Sequence, residues 1–177
     1  MRFSKKMIEF HLSVHTLCGL TVSLMARDTP VELNNDWTFS KGEEYPGGVG
    51  SLEVGKADKT LAIAYDFNGG GQYVAAGTSI DASGELDGVE VTTAGPGGNL
   101  GVVLIDDTEQ TFIYRLGQLE DGDKTFDLPL DKQSSSYGGA DDKTLHFPIK
   151  GIRLIVEKNP SQVEGTVTVS KSVLRTK

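Results

Sequence analysis

The clearest structural pattern in this chain is the stretch Leu61-Ala-Ile-Ala-Tyr-Asp-Phe-Asn-Gly-Gly-Gly-Gln-Tyr-Val-Ala-Ala76. Large apolar or aromatic residues alternate with Ala and Asp from Leu61 to Phe67, which is the period of a strand with two different faces. Three glycines follow, and glycine permits backbone angles that other residues avoid. Extended character then resumes at Gln72. The stretch predicts one strand, a tight corner and a second strand.

The first 26 residues differ in composition from the remainder of the 177. They begin with the basic run Met1-Arg-Phe-Ser-Lys-Lys6, and residues 17–26 are mostly apolar or small. This layout indicates a secretory signal cleaved near Ala26, and therefore a secreted or periplasmic protein. An amphipathic N-terminal helix or a segment added for expression is the alternative. A lipoprotein signal is disfavoured because Leu17, before Cys18, is large for that cleavage. Residues 27–177 are long enough for a single domain.

The mature segment is acidic and carries few reactive side chains. Without residues 1–26, Lys+Arg falls from 17 to 14 and Asp+Glu from 25 to 24, so the formal charge changes from −8 to −10. Nucleic acids and anionic membranes attract basic proteins, so we expect neither as a partner. The segment has no Cys, which excludes disulfides and thiolate sites, and His146 is its only histidine. No later stretch is apolar enough to span a membrane.

Short strands separated by turns fill the remaining sequence. Alternating or apolar segments lie at 49–54, 88–93, 100–105, 111–116, 125–130, 149–156 and 165–174. Segments 100–105 and 111–116 form the strongest hairpin pattern, and Pro129 places its strand at an edge or an end. Residues 131–144 are the longest polar loop. No segment after residue 27 has a helical repeat with a cap. We predict an all-β, single-domain β-sandwich or jelly roll.

Few residues suit catalysis or metal binding. No Ser lies in a nucleophile-elbow pattern, and no two histidines have metal-ligand spacing. A catalytic pair of carboxylates for glycoside hydrolysis remains an open alternative, because two residues far apart in the sequence can come together in the folded protein. For lyase chemistry, Tyr137, His146 and Arg115 are residues of suitable type. We expect no cofactor, although the acidic turns at Asp106-Asp107 and Asp141-Asp142 leave a structural calcium open.

Sugar binding needs an aromatic ring for the apolar sugar face and polar groups for the hydroxyls. The candidate aromatic rings for contact with a sugar are those of Trp37, Tyr45, Tyr65, Tyr73, Tyr114 and Tyr137. Core packing is the competing interpretation for most of them. Tyr137 is different, because its Ser/Gly loop offers no apolar neighbour. Arg115 points to the face opposite Tyr114, where it either meets solvent or contacts a ligand.

Three segments together resemble the galactose-binding-like β-sandwich modules found beside secreted bacterial glycoside hydrolases. They are Tyr45-Pro-Gly-Gly-Val-Gly-Ser-Leu52, Tyr65-Asp-Phe-Asn-Gly-Gly-Gly-Gln-Tyr-Val74 and Tyr137-Gly-Gly-Ala-Asp-Asp-Lys-Thr-Leu-His-Phe-Pro-Ile-Lys-Gly151. Each motif is weak by itself, and their order and spacing carry the resemblance. It covers residues 37–174. Lys143 departs from the usual glycine of the late loop. Ser170-Lys-Ser172 stands where such modules often carry an acidic pair near a structural calcium, which puts that calcium in doubt.

The resemblance implies a secreted, non-catalytic module that binds a polysaccharide or oligosaccharide, with a glycoside hydrolase as a partner. The ligand-binding residues it implies are Asp66, Gln72, Tyr73, Arg115, Tyr137 and His146. A further hypothesis is that Gly69, Gly70 and Gly71 keep the rim of a groove low enough for a polymer. Two alternatives remain open: a β-sandwich scaffold that contacts another protein, and a jelly-roll hydrolase or lyase.

Overall fold

The structure, a computed structural model, describes residues 28–84, 86–95 and 98–176. The predicted signal at residues 1–26 lies outside the described residues. Those described form twelve strands and one 3-10 helix at Leu130–Lys132. The strands are β1 (Thr29–Pro30), β2 (Thr38–Ser40), β3 (Val49–Gly55), β4 (Thr60–Asp66), β5 (Tyr73–Ala82), β6 (Leu86–Ala94), β7 (Asn99–Ile105), β8 (Thr111–Gln118), β9 (Lys124–Pro129), β10 (Ser135–Tyr137), β11 (Ile149–Glu157) and β12 (Glu164–Thr176). No helix among them is long and apolar enough to cross a membrane.

The strands make two antiparallel sheets. In the back sheet the order is β3-β4-β12-β6-β9, and β1 adds to the second half of β12. In the front sheet the order is β10-β8-β7-β11-β5-β2. The hairpin predicted at 100–116 is formed by β7 and β8. Strand β9 lies at a sheet edge and ends at Pro129, where a missing N–H costs nothing. The predicted all-β sandwich is therefore confirmed.

The core lies between the sheets and follows the alternation read from the sequence. Leu61, Ile63, Tyr65 and Phe67 are all buried in it. Trp37 and Tyr114 are also buried, so these rings, with Tyr65, are core residues and are not available to a ligand. In β11, Ile152, Leu154 and Val156 enter the core while the intervening residues face outward.

The glycine corner carries the chain from the back sheet to the front sheet, because β4 belongs to the first and β5 to the second. It packs against the 46–48 loop: the Gly71 N–H donates to the Pro46 carbonyl at 3.0 Å. A side chain on Gly47 would overlap the Gly69 carbonyl oxygen. The glycines are thus required by close contact of two backbone segments. Tyr73 follows this packed corner and is partly exposed, so its side chain is not part of the core.

The polar loop predicted at 131–144 contains structure that the sequence pattern did not indicate. It includes the end of the 3-10 helix and strand β10, which pairs with β8 at the edge of the front sheet. β10 has no apolar alternation, since Ser135-Ser-Tyr137 is polar and only partly buried. Its pairing is decided by the neighbouring strand, which offers free backbone groups at an edge.

Candidate functional site

A groove crosses the outer face of the front sheet, and we call it the outer groove. Its cavity volume is about 790 Å³. The groove is lined by Ser40, Glu44, Tyr45, Gln72, Tyr73, Ala75, Asn99, Val103, Ile113, Arg115, Tyr137, Arg153, Ile155, Glu157 and Lys158. A second hollow of about 380 Å³ shares Ser40, Ala75 and Arg153 with it and extends toward Asp36 and Lys150. The two hollows therefore make one depression across the sheet.

The floor of the outer groove is apolar, although it faces away from the sandwich core. Ala75, Val103 and Ile155 are only 3%, 5% and 7% exposed and form a cluster of their own. Tyr73 and Ile113 pack against this cluster. Such a floor offers a dry surface for the apolar face of a ligand.

One wall of the groove is a pair of tyrosines held by an acid. The rings of Tyr45 and Tyr73 meet edge to face, with their centroids 6.3 Å apart. The Tyr73 hydroxyl donates a 2.6 Å hydrogen bond to Glu44 Oε1. Burial, and to a smaller extent the bond to Glu44, raises the pKa of Tyr73 to about 12. The same bond lowers the pKa of Glu44, so both partners keep the protonation states that the bond needs.

Arg115 and Glu157 form a fork above the floor. They come from β8 and β11, and β7 runs between those strands. Arg115 Nε lies 3.2 Å from Oε1 and 3.1 Å from Oε2 of Glu157, and Nη2 lies 3.1 Å from Oε1. This multidentate geometry fixes a donor group beside an acceptor group. Adjacent hydroxyls of a sugar can bond to such a fork.

Tyr137 stands at the opposite side of the groove, at the end of β10, and is 56% exposed. Tyr137 and Tyr73 both line the outer groove, although three strands separate β10 from β5.

The loop that follows Tyr137 is anchored by the buried carboxylate of Asp106. Asp106 Oδ1 accepts from Thr108 N, Thr108 Oγ1 and Gln110 N, and Oδ2 accepts from His146 N at 3.1 Å. Two further bonds join the same turns: Ala140 N donates to Thr108 Oγ1, and Asp142 N donates to Gln110 Oε1. The network connects the β7–β8 turn to the 138–147 loop and so helps to position Tyr137.

Four of the six residues suggested by the resemblance line the outer groove: Gln72, Tyr73, Arg115 and Tyr137. The other two lie elsewhere. Asp66 is on β4 in the back sheet, and its Oδ1 accepts from Asn68 N at the start of the glycine corner. His146 Nε2 lies 2.9 Å from Asp142 Oδ2 in the late loop, outside the groove.

Arg153 and Glu157 also face the groove, from β11, and were not among the residues expected from the sequence. A signal was present in β11, where outward positions alternate with the buried ones. The outward residues are Gly151, Arg153, Ile155 and Glu157. The signal is the apolar Ile155, which stands at an outward position between Arg153 and Glu157. Glu44 had no comparable signal, because it reaches Tyr73 from a loop 29 residues earlier.

The carboxylates of the acidic turns considered for calcium are engaged by other groups of the protein. Within residues 28–84, 86–95 and 98–176, no group of three or more His, Cys, Asp or Glu side chains could hold a metal ion. The oxygens of Asp106 are already engaged by N–H and O–H donors, and Asp107 pairs with Lys150. Asp142 accepts from Thr144 N and lies beside His146. Calcium needs several oxygens aimed at one point.

No family model matches the sequence, and no curated protein matches it significantly. Solved structures do match by fold. The family 11 carbohydrate-binding module of the cellulosomal cellulase Lic26A-Cel5E of Clostridium thermocellum superimposes with a TM-score of 0.63 at 13% identity, covering 86% of this chain and 96% of that one. A Clostridium thermocellum family 11 module in complex with a β-1,3-1,4-mixed-linked tetrasaccharide gives 0.60 at 13% identity, covering 84% and 95%.

A point mutant of a family 29 carbohydrate-binding module superimposes with a TM-score of 0.51 at 11% identity, covering 85% of this chain and 87% of that one. At these identities the likeness concerns the fold. The chain accordingly has the two-sheet β-sandwich fold that is also found in carbohydrate-binding modules of families 11 and 29.

Proposed function

We propose that this protein is a non-catalytic module that binds a polysaccharide along the outer groove. The observation that carries the proposal is the position of Tyr73 and Tyr137 on two sides of an apolar floor. Ala75, Val103 and Ile155 form that floor. Aromatic rings and aliphatic side chains suit the C–H faces of a pyranose.

Polar groups around the floor supply the hydrogen bonds that orient a sugar. The Arg115–Glu157 fork presents donors and acceptors side by side. Gln72 and Asn99 add amide groups, each able to donate and to accept. The solved module with a mixed-linked tetrasaccharide shares this fold, and its bound ligand supports an oligosaccharide as the ligand class.

The proposal assigns no catalytic group to the groove. A glycosidase of the usual kind needs one carboxyl with a raised pKa as general acid and a second carboxylate beside the bond. Glu44 has a lowered pKa, and Glu157 is bound to Arg115. The acid–base pair of His146 and Asp142 lies outside the groove. Binding chemistry is therefore the better use of these side chains.

We also propose that the protein acts outside the cytoplasm beside a glycoside hydrolase. The basic and then apolar residues 1–26 support export. A module of the same fold belongs to a cellulosomal cellulase, which supports a catalytic partner of that class.

Affinity electrophoresis through gels containing a panel of polysaccharides tests the binding function. We expect retardation in at least one polymer, its loss in Tyr73→Ala and Tyr137→Ala, and its retention in Tyr114→Phe. Tyr114 is a matched control because its hydroxyl is buried and bonds to the Leu130 carbonyl at 3.2 Å. A folded protein that migrates unchanged through the whole panel would overturn the proposal and favour the protein-interaction alternative.

A further inference from the structure

We infer that the polysaccharide bound in the outer groove is anionic, and that a carboxylate or sulfate group on it pairs with Arg153. The inference rests on the proposed function. The inference adds a ligand class to that function, namely sugar chains that carry acidic substituents along their length.

Arg153 occupies the middle of the route that a polymer would follow. It lies on β11, between Gly77 of β5 and Val103 of β7 in the register. It lines both the outer groove and the adjoining hollow. A chain that extends from one hollow into the other therefore passes over its guanidinium group.

The local structure accommodates the Arg153 side chain in this position. Its stem lies over Gly77, where a Cβ atom would come within 2.7 Å of Arg153 Cγ. Any larger residue at 77 would push the stem away from the sheet. The glycine thus allows a long cationic side chain to lie low in the groove.

The other charged groups that line the depression have partners. Arg115 binds Glu157, Glu44 accepts from Tyr73, and Lys158 Nζ donates to the Phe67 carbonyl. In the adjoining hollow Lys150 lies between Asp81 and Asp107, and Asp36 accepts from Asn34. Among the described residues, the Arg153 guanidinium makes no hydrogen bond or ion pair.

The charges in and beside the depression nearly balance. Its lining cations are Arg115, Lys150, Arg153 and Lys158, its lining acids are Asp36, Glu44 and Glu157, and Asp81 and Asp107 lie beside Lys150. An anionic ligand is therefore favoured by the unpaired Arg153 guanidinium and not by a general excess of positive charge.

Desolvation favours an anion at this position. In the free protein water solvates Arg153, and a polymer lying over it removes part of that water. A charge that loses water without gaining a counter-ion is destabilised. A planar guanidinium matches two oxygens of a carboxylate or a sulfate, which compensates the loss more fully than neutral hydroxyls do.

Matched polymers provide the test. Binding of the full chain is measured by affinity electrophoresis and calorimetry with polygalacturonate and its carboxyl-reduced form, and with a sulfated galactan and its desulfated form. We expect an acidic polymer to bind at least about tenfold more tightly than its neutral counterpart. The pair that shows this preference tells carboxylate from sulfate. Added salt should weaken acidic binding selectively.

Arg153→Gln should reduce this preference to about twofold or less, and Arg153→Lys, which keeps the charge without the fork, should give an intermediate value. Lys59→Gln is the control, because Lys59 is an exposed cation at the β3–β4 turn in the back sheet. It should leave the preference unchanged. Thermal unfolding verifies that each variant is folded.

Equal binding of acidic and neutral polymers, or a preference that survives Arg153→Gln, would overturn the anionic ligand while leaving polysaccharide binding in place. Absence of binding to every polymer tested would overturn the proposed function as well. The two failures are therefore distinguishable.

Discussion

Tyr73 donates a 2.6 Å hydrogen bond to Glu44, a residue 29 positions earlier in the chain. Burial and then this bond raise the pKa of Tyr73, and the bond lowers the pKa of Glu44. The bond fixes the tyrosine ring at the edge of an apolar floor on the outer face of the front sheet. The protonation of Tyr73 and of Glu44 can be measured by titration, which makes this wall of the outer groove directly testable.

Removing the hydroxyl should separate the role of the ring from that of the bond. In Tyr73→Phe the ring stays, so we expect affinity to fall about three- to tenfold, whereas Tyr73→Ala should abolish measurable binding. The pKa of Glu44 should rise toward its ordinary value in the Phe variant, because its main lowering cause is gone. NMR titration of the Glu44 carboxyl measures this, and an unchanged pKa would contradict it.

The pH dependence of the same pair has a defined sign. The pKa of Tyr73 is raised from 10.0 to about 12, so the stability it contributes is complete below pH 10 and is lost as the pH rises to about 12. The lowered pKa of Glu44 implies a contribution present above 4.5 and lost as the pH falls through the lowered value. Unfolding by denaturant across this range should show the alkaline loss in wild type only and a smaller acid loss in Tyr73→Phe than in wild type.

Asp106 should matter for stability far more than its neighbour Asp107. Asp106→Ala leaves buried donors from Thr108, Gln110 and His146 without an acceptor, and we expect a loss of about 3 kcal/mol or more. Asp107→Ala removes only an exposed ion pair with Lys150 and should cost about 0.5 kcal/mol or less. Chemical denaturation of both variants compares them, and equal losses would count against the anchoring role.

The Arg115–Glu157 fork should contribute little to stability and much to binding. Half of the Arg115 side chain is exposed, so a double-mutant cycle with Arg115→Gln and Glu157→Gln should give a coupling of about 0.5 kcal/mol in unfolding. Each single variant should weaken polysaccharide binding about tenfold, because a ligand loses an oriented donor or acceptor. Calorimetry measures the second effect. Wild-type affinity in both variants would exclude the fork from the site.

Two glycines with similar backbone angles allow a test of the corner. Gly47 has a φ of 105° and contacts the Gly69 backbone, whereas Gly84 has a φ of 114° and open space around it. Gly84→Ala should cost only the strain of the angle, about 1 kcal/mol. Gly47→Ala adds a steric overlap and should cost at least about 2 kcal/mol more. Thermal unfolding should rank the two variants in this order.

Much of the fold could be predicted, because strand alternation is a local property. The buried positions of β4, the β7–β8 hairpin and the edge position of Pro129 all follow from periodicity and turn residues. β10 could not be predicted from its own residues, since it forms by pairing with the exposed edge of β8. The grouping of Tyr73, Arg115 and Tyr137 was expected from family resemblance alone, and no local pattern places them together.

Which residues face the core follows from local alternation, because burial of apolar side chains imposes a period of two on a strand. The opposite directions of Arg115 and Tyr114 follow from the same alternation. Three relationships come instead from the folded arrangement: the glycine corner joins two sheets, Asp66 and His146 lie outside the groove, and Arg153 lies in its middle. These relationships depend on strand order, and strand order is set by pairing between segments far apart in the chain.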